Sequence, residues 1–139
     1  MTIVKSEDKM INEIKICVEE LRDIYNVVER KTDDARHSLY ALLSDCVDFH
    51  KLLTAEPGYQ AAFKRIIDFK WNKHARLTTL IAKTVFGVAN KNAYAYAKVM
   101  DAAISAGIDN EGSQTVAQWL EQSGGVNKVI RNTQSSSNA

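Results

Sequence analysis

The sequence predicts an all-α protein, and three observations support this fold class. The chain of 139 residues has one proline and six glycines, too few for the many turns of a β-sandwich or barrel. No Gly or Pro occurs between Ser6 and Glu56, and apolar residues there recur with a seven-residue period. We expect a helical arm over residues 1–56, a small domain of short helices over 57–131 and a disordered tail over 132–139.

The heptad repeat of the arm predicts a long coiled-coil-type helix. Its a positions run from Ile11 to Leu53 and its d positions from Ile14 to Phe49, and only Thr32 among them is clearly polar. Such a helix would be roughly 65–70 Å long, which is too long for the rest of the chain to cover. The sequence therefore favours a homodimer, with the contact residues Ile11, Ile14, Val18, Leu21, Tyr25, Val28, Leu39, Leu42 and Phe49.

A helical hairpin is the alternative arrangement of the arm. The polar run Lys31-Thr32-Asp33-Asp34 lies at its midpoint, and Thr32 is a suitable N-cap for a second helix. The two halves of the seam would then pack against each other within one chain. The unbroken register and the absence of glycine slightly favour the single helix, so both arrangements stay open.

The small domain begins at the only proline. Pro57 ends the arm and is placed to open a helix with apolar residues at 59, 62, 63 and 66. The period then changes to two, because Ile67, Phe69 and Trp71 alternate with polar residues. Since no second run of this kind can pair with them, we expect an extended connector on the core.

Two longer helices are predicted next. The first has one apolar face between residues 77 and 88. The second runs from Ala93 to Ala106 with Asn92 as its cap, and Gly107 followed by an apolar residue is typical of a helix end.

A last helix is expected to open at Ser113. The pair Gly124-Gly125 would end it. One more turn is expected to carry the apolar residues Val126, Val129 and Ile130.

The net charge of +1 conceals a strong asymmetry along the chain. Residues 1–56 carry 8 basic and 12 acidic side chains, residues 57–98 carry 8 and 1, and residues 99–139 carry 2 and 4. A basic stretch with interleaved aromatic residues beside a dimerisation element is typical of nucleic-acid binding. The candidate phosphate contacts are Lys64, Arg65, Lys70, Lys73, Arg76, Lys83, Lys91 and Lys98.

Other interpretations of this basic stretch stay open. Its cations could pair with the acidic arm, and the chain could be a protein-binding module or inhibitor that docks on a host protein, such as a defence or regulatory factor. For nucleic acid, the sequence does not single out a recognition helix; the helix from Ala93 is one candidate, with Tyr94, Lys98 and Asp101 outward. Most aromatic residues of the stretch lie on apolar faces and are expected in the core, namely Tyr59, Phe63, Phe69 and Trp71.

The chain shows no catalytic motif, cofactor site or set of metal ligands, so we do not predict an enzyme. Cys46 and His50 lie four residues apart, but two ligands are too few for a zinc site, and Cys46 is expected as a buried thiol. His37 and His74 are expected on solvated surfaces. With no membrane span, no signal peptide and no disulfide framework evident, we expect a cytoplasmic protein.

Part of the chain, less than half of it, resembles a group of mobile-element proteins. The shared strings are LIAKTVFG, AYAYAKVMDAAISAGI and VAQWLEQSGGVNKVIR, within residues 71–131. They resemble segments of all-helical accessory proteins of plasmids, prophages and other mobile elements. The resemblance implies a plasmid- or phage-borne protein that regulates transcription or replication, or that antagonises a host system by binding.

Overall fold

A computed structural model describes the backbone of residues 7–30 and 35–137, and the side chains of residues 7–26 and 36–132. This part of the chain contains α-helices and no strand, as the sequence predicts. None of the described helices is long and apolar enough to cross a membrane. The helices are α1 (Glu7–Arg30), α2 (Ala35–Ala55), α3 (Pro57–Ile66), α4 (Leu77–Phe86), α5 (Ala93–Ser105), α6 (Val116–Gln122) and α7 (Val126–Ser137).

The arm consists of two helices that pack against each other, α1 and α2, and not of the single long helix that the sequence slightly favours. α1 ends at Arg30 and α2 begins at Ala35; the proposed cap Thr32 lies outside the described residues. Both helices also pack against α3 and α4. The heptad repeat that runs through both helices does not require one continuous helix. Each of the two helices needs an apolar stripe of its own, because each packs against the shared core.

The heptad seam is used inside one chain. Ile14, Val18 and Leu21 of α1 are buried in the same cluster as Leu42 and Phe49 of α2. The remaining described contact residues are partly buried against this cluster: Ile11, Tyr25 and Leu39. The side chain of Val28 lies outside the described residues. The described side chains of the seam are therefore buried or partly buried within one chain.

Helix α4 lies at the centre of the core. Every residue from Thr78 to Phe86 except Lys83 is buried, and α4 packs against α1, α2 and α5. Val88, expected on the same apolar face, is exposed because α4 ends at Phe86 and Gly87 turns the chain with a φ of 101°. Buried residues on both sides of Pro57 form one cluster, so the predicted arm and small domain share a core.

The segment between α3 and α4 has the alternation that the sequence predicts. Ile67, Phe69 and Trp71 pack partly buried against the core, whereas Asp68 and Lys70 between them are exposed. The segment forms neither helix nor strand. Its period of two thus comes from an extended chain with one side on the core.

The helix starts are only partly those predicted. Pro57 opens α3 as expected. Asn92 flanks α5, but its side chain makes no capping hydrogen bond. α6 is capped by Thr115 and not by Ser113, because Thr115 Oγ1 accepts the Gln118 amide at 3.1 Å while the Gln118 side chain accepts the Thr115 amide at 2.9 Å.

The helix ends follow the predicted glycines. At Gly107, with a φ of 73°, the Ile108 amide donates to the carbonyl of Ala103 at 3.0 Å, so the chain turns back as expected. Gly124 and Gly125 also have positive φ, and α7 follows them directly. α7 is longer than the single predicted turn and includes residues 132–137 of the segment predicted to be disordered.

Candidate nucleic-acid interface

Four of the eight predicted phosphate-contacting cations are held by neighbouring side chains. Arg65 forms an ion pair with Glu7, and Arg76 Nη1 lies 3.2 Å from Asp101 Oδ2. Lys64 lies over the ring of Trp71, with Nζ 5.9 Å from the ring centroid. Lys83 lies in the same way over Tyr94.

The other four cations are exposed and make no ion pair or hydrogen bond within the part of the chain that the structure describes. They are Lys70, Lys73, Lys91 and Lys98. Of all eight, Arg65 alone pairs with a described residue of the acidic arm. Neutralisation of the basic stretch by the chain's own arm is therefore confined, among these residues, to a single ion pair.

Asp101 joins two helices instead of pointing outward from the candidate recognition helix. Its carboxylate accepts a hydrogen bond from the buried hydroxyl of Thr78 at 2.8 Å and also pairs with Arg76. Thr78 and Arg76 belong to the start of α4, so Asp101 holds α5 against that start. The prediction that Asp101 faces solvent is wrong, because a buried Thr78 hydroxyl needs an acceptor and Asp101 supplies it.

Tyr94 is the most exposed of the described aromatic residues in the basic stretch. Its side chain is 62% exposed on the first turn of α5, and Lys83 Nζ lies 5.5 Å from its ring centroid. Lys98 is exposed one turn further along α5, and Lys91 is exposed just before the helix. We call these four residues the Tyr94 face: Lys83, Lys91, Tyr94 and Lys98.

Helix α5 contributes Tyr94 and Lys98 to this face because its opposite side is apolar. Ala93, Ala97, Met100 and Ala103 are buried at helical spacing, which leaves Tyr94 and Lys98 directed to solvent. The outward positions predicted for Tyr94 and Lys98 are thus confirmed.

A groove of about 430 Å³ borders the Tyr94 face at the end of α4. Arg22 and Lys83 line it together with one acidic residue, Asp68. Arg22 Nε donates to the Thr84 carbonyl at 2.8 Å, so a cation of the acidic arm caps the last turn of α4. Sequence reasoning misses Arg22 because no local pattern places α1 against α4.

The remaining aromatic residues of the basic stretch belong to the core, as predicted. Tyr59 is buried and donates its hydroxyl to Glu13 at 2.7 Å. Phe63 is fully buried and meets Phe49 edge to face, with ring centroids 5.4 Å apart. Together with the connector residues described above, this leaves Tyr94 as the open ring of the described stretch.

The cysteine and two of the histidines that the sequence analysis weighed lie in different surroundings. Cys46 is fully buried, and burial raises the pKa of its thiol far above the ordinary value. Exposed His37 places Nδ1 2.6 Å from the carboxylate of Glu121, and His74 is exposed. No group of three or more potential metal ligands occurs among the residues that the structure describes.

Comparison of the chain with protein-family models, with curated proteins and with solved structures gives no match. The mobile-element origin of the protein stays a prediction.

Proposed function

We propose that the protein binds nucleic acid through the Tyr94 face. The observation that carries the proposal is an exposed tyrosine ring beneath Lys83, with two further exposed lysines, Lys91 and Lys98, three residues before it and four residues after it in the sequence. Lysines without an internal partner can meet phosphates at no cost of breaking an ion pair. An open ring offers a face on which an unpaired base can stack, whereas a paired base is already stacked on its neighbours.

The chemistry of the face favours single strands without a fixed sequence. Stacking on an aromatic ring tolerates every base, and lysines on flexible stems read charge instead of base identity. The bordering groove adds Arg22 to the positive surface. Asp101, which the sequence placed among the outward residues, is already bound to Thr78 and Arg76 and is left out of the contact.

The test is fluorescence anisotropy with labelled single-stranded and double-stranded oligonucleotides of mixed sequence over a salt series. The cations of this surface are Lys83, Lys91 and Lys98 of the Tyr94 face and Arg22 of the bordering groove. If each of them neutralises one phosphate of a single strand, a plot of log Kobs against log salt concentration has a slope of about −3. The double variant K91Q/K98Q should reduce the slope by about 1.4. Tyr94→Ala should weaken single-strand binding by about 1–3 kcal/mol with little change of slope.

The matched control is K128Q/R131Q, which removes the same charge from exposed positions on α7. It should leave the affinity and the slope close to those of the unaltered protein. Absence of binding at low salt, or an equal loss in the α7 control, would contradict the proposal. Tighter binding of duplex with no effect of Tyr94→Ala would contradict the stacking contact.

A further inference from the structure

A groove of about 370 Å³ opens between α1 and α2 and shares no residue with the Tyr94 face. On the α1 side it is lined by Cys17, Glu20, Leu21 and Ile24. These residues have the spacing i, i+3, i+4, i+7, so they form one stripe along two turns of helix. Leu21 is buried at the floor, whereas Ile24 at the rim is 39% exposed.

The α2 side of the groove repeats the same spacing. Asp45, Asp48, Phe49 and Leu52 form its stripe, with Phe49 buried and Leu52 partly exposed. Each wall therefore has a buried apolar side chain at the floor, Leu21 or Phe49, and exposed carboxylates at the rim beside a more exposed apolar residue, Ile24 or Leu52. Each stripe spans seven residues along its helix. The groove is therefore about 10 Å long, which is the length of two helical turns.

The rim of this groove is acidic and contains no lining cation. Glu20 and Asp45 have no ion pair within the described part of the chain, and Asp48 accepts one hydrogen bond from the amide of Asn110 at 2.8 Å. Partial burial, and then the charge of Asp48, raise the pKa of Asp45. A cation placed at the rim would relieve this repulsion.

We propose that the groove binds a basic amphipathic helix of a partner protein. The apolar floor is two helical turns long. It can therefore hold the apolar side chains that a partner helix presents at positions i, i+3 or i+4, and i+7. Three carboxylates at the rim fit lysines and arginines that flank those anchors. The proposal gives the protein-binding interpretation of the sequence a surface and a partner chemistry, and it does not depend on nucleic-acid binding.

The experiment measures anisotropy of labelled helix-forming peptides. One peptide has leucines at i, i+4, i+7 and i+11 with lysines at the other positions, a second has glutamates instead of the lysines, and a third is a scramble of the first. We expect the first peptide to bind, with an affinity reduced about tenfold or more by Ile24→Ser and by E20Q/D45N. The other two peptides should bind much more weakly.

Each variant has a matched control on the exposed side of α1. Ile16→Ser removes an equally large apolar side chain that is 56% exposed and outside the groove. D8N/D23N removes two exposed carboxylates of α1 that do not line the groove. Both controls should bind the lysine peptide like the unaltered protein, and circular dichroism should show that all variants are equally helical.

Three results of the binding experiment would overturn the proposal. These are no binding of the lysine peptide, equal losses in groove and control variants, and equal binding of the scrambled peptide. A dimer in light scattering that Ile24→Ser dissociates would also overturn it, because the occupant would then be a second copy of this chain.

Discussion

Asn110 and Ser44 are joined by a reciprocal pair of hydrogen bonds across 66 residues of sequence. Ser44 Oγ donates to Asn110 Oδ1 at 2.7 Å, and Asn110 Nδ2 donates to the Ser44 carbonyl at 2.8 Å. The same asparagine also donates to Asp48 and accepts the amide of Val116, each at 2.8 Å. One amide group thus fastens α2 to the start of α6.

Replacement of Asn110 by alanine should destabilise the protein by about 2–4 kcal/mol, because it leaves the largely buried Ser44 hydroxyl and the Val116 amide without their partner. Urea unfolding followed by circular dichroism measures this loss. Asn127→Ala, at an exposed position on α7, should change stability by less than about 0.5 kcal/mol. Equal effects of the two substitutions would show that the Asn110 contacts are not stabilising.

The capping box of α6 predicts different stability effects for the loss of two nearby hydroxyls, those of Thr115 and Ser113. Thr115→Ala should cost about 1 kcal/mol, because Thr115 Oγ1 accepts the amide of Gln118. Ser113→Ala should be close to neutral, because Ser113 is exposed and does not cap the helix. Thermal or urea unfolding of both variants decides which residue is the cap, and a larger loss for Ser113→Ala would contradict the structure.

Charged substitutions in the heptad seam should unfold the monomer. Leu21→Glu and Leu42→Glu each place a carboxylate in a buried position of the single-chain core, at a cost of several kcal/mol. Circular dichroism should show loss of helix in both variants. Light scattering should not show a folded monomer released from a dimer. Ile16→Glu on the exposed side of α1 is the control and should stay folded. Folded monomers produced from a larger assembly by Leu21→Glu would instead support the intermolecular coiled coil.

Stability should fall as the pH is lowered from about 7.5 to about 6. Partial burial lowers the pKa of His50 from 6.5, and the nearby charge of Asp101 opposes this shift without cancelling it. The unfolded chain therefore takes up a proton at higher pH than the folded chain does. His50 contributes its full stabilisation above pH 6.5 and loses it as the pH falls toward its folded pKa.

Urea unfolding at several pH values measures this dependence. His50→Gln should flatten the slope, whereas His74→Gln, at an exposed position, should leave it unchanged. An unchanged slope in the His50 variant would assign the dependence to other groups.

The sequence predicts most elements of the fold because their signals are local. Pro57 marks the start of α3, Gly107 marks the end of α5, and the alternation around Phe69 marks the extended connector. These signals act through backbone geometry and through which side of a short segment is apolar. Neither depends on what packs against that side.

The arrangement of the arm could not be predicted in this way. An apolar stripe states that a surface must be covered, but its period is the same whether another chain or another helix of the same chain covers it. The burial of Val18 and Leu42 in one cluster is a property of the folded chain. The same limit applies to Thr115 and Ser113, since either hydroxyl is a suitable cap until the position of the turn is known.

For the basic stretch, too, the sequence determines some properties and the tertiary structure determines others. Its composition is a property of the sequence alone and includes eight cations between residues 57 and 98. Which of these cations form ion pairs depends on carboxylates far along the chain. Arg65 pairs with Glu7, and Arg76 pairs with Asp101. Ion pairs form between groups that folding brings within a few ångströms, so the sequence could place Tyr94 and Lys98 outward, but only the tertiary structure could show which of the eight cations are already paired.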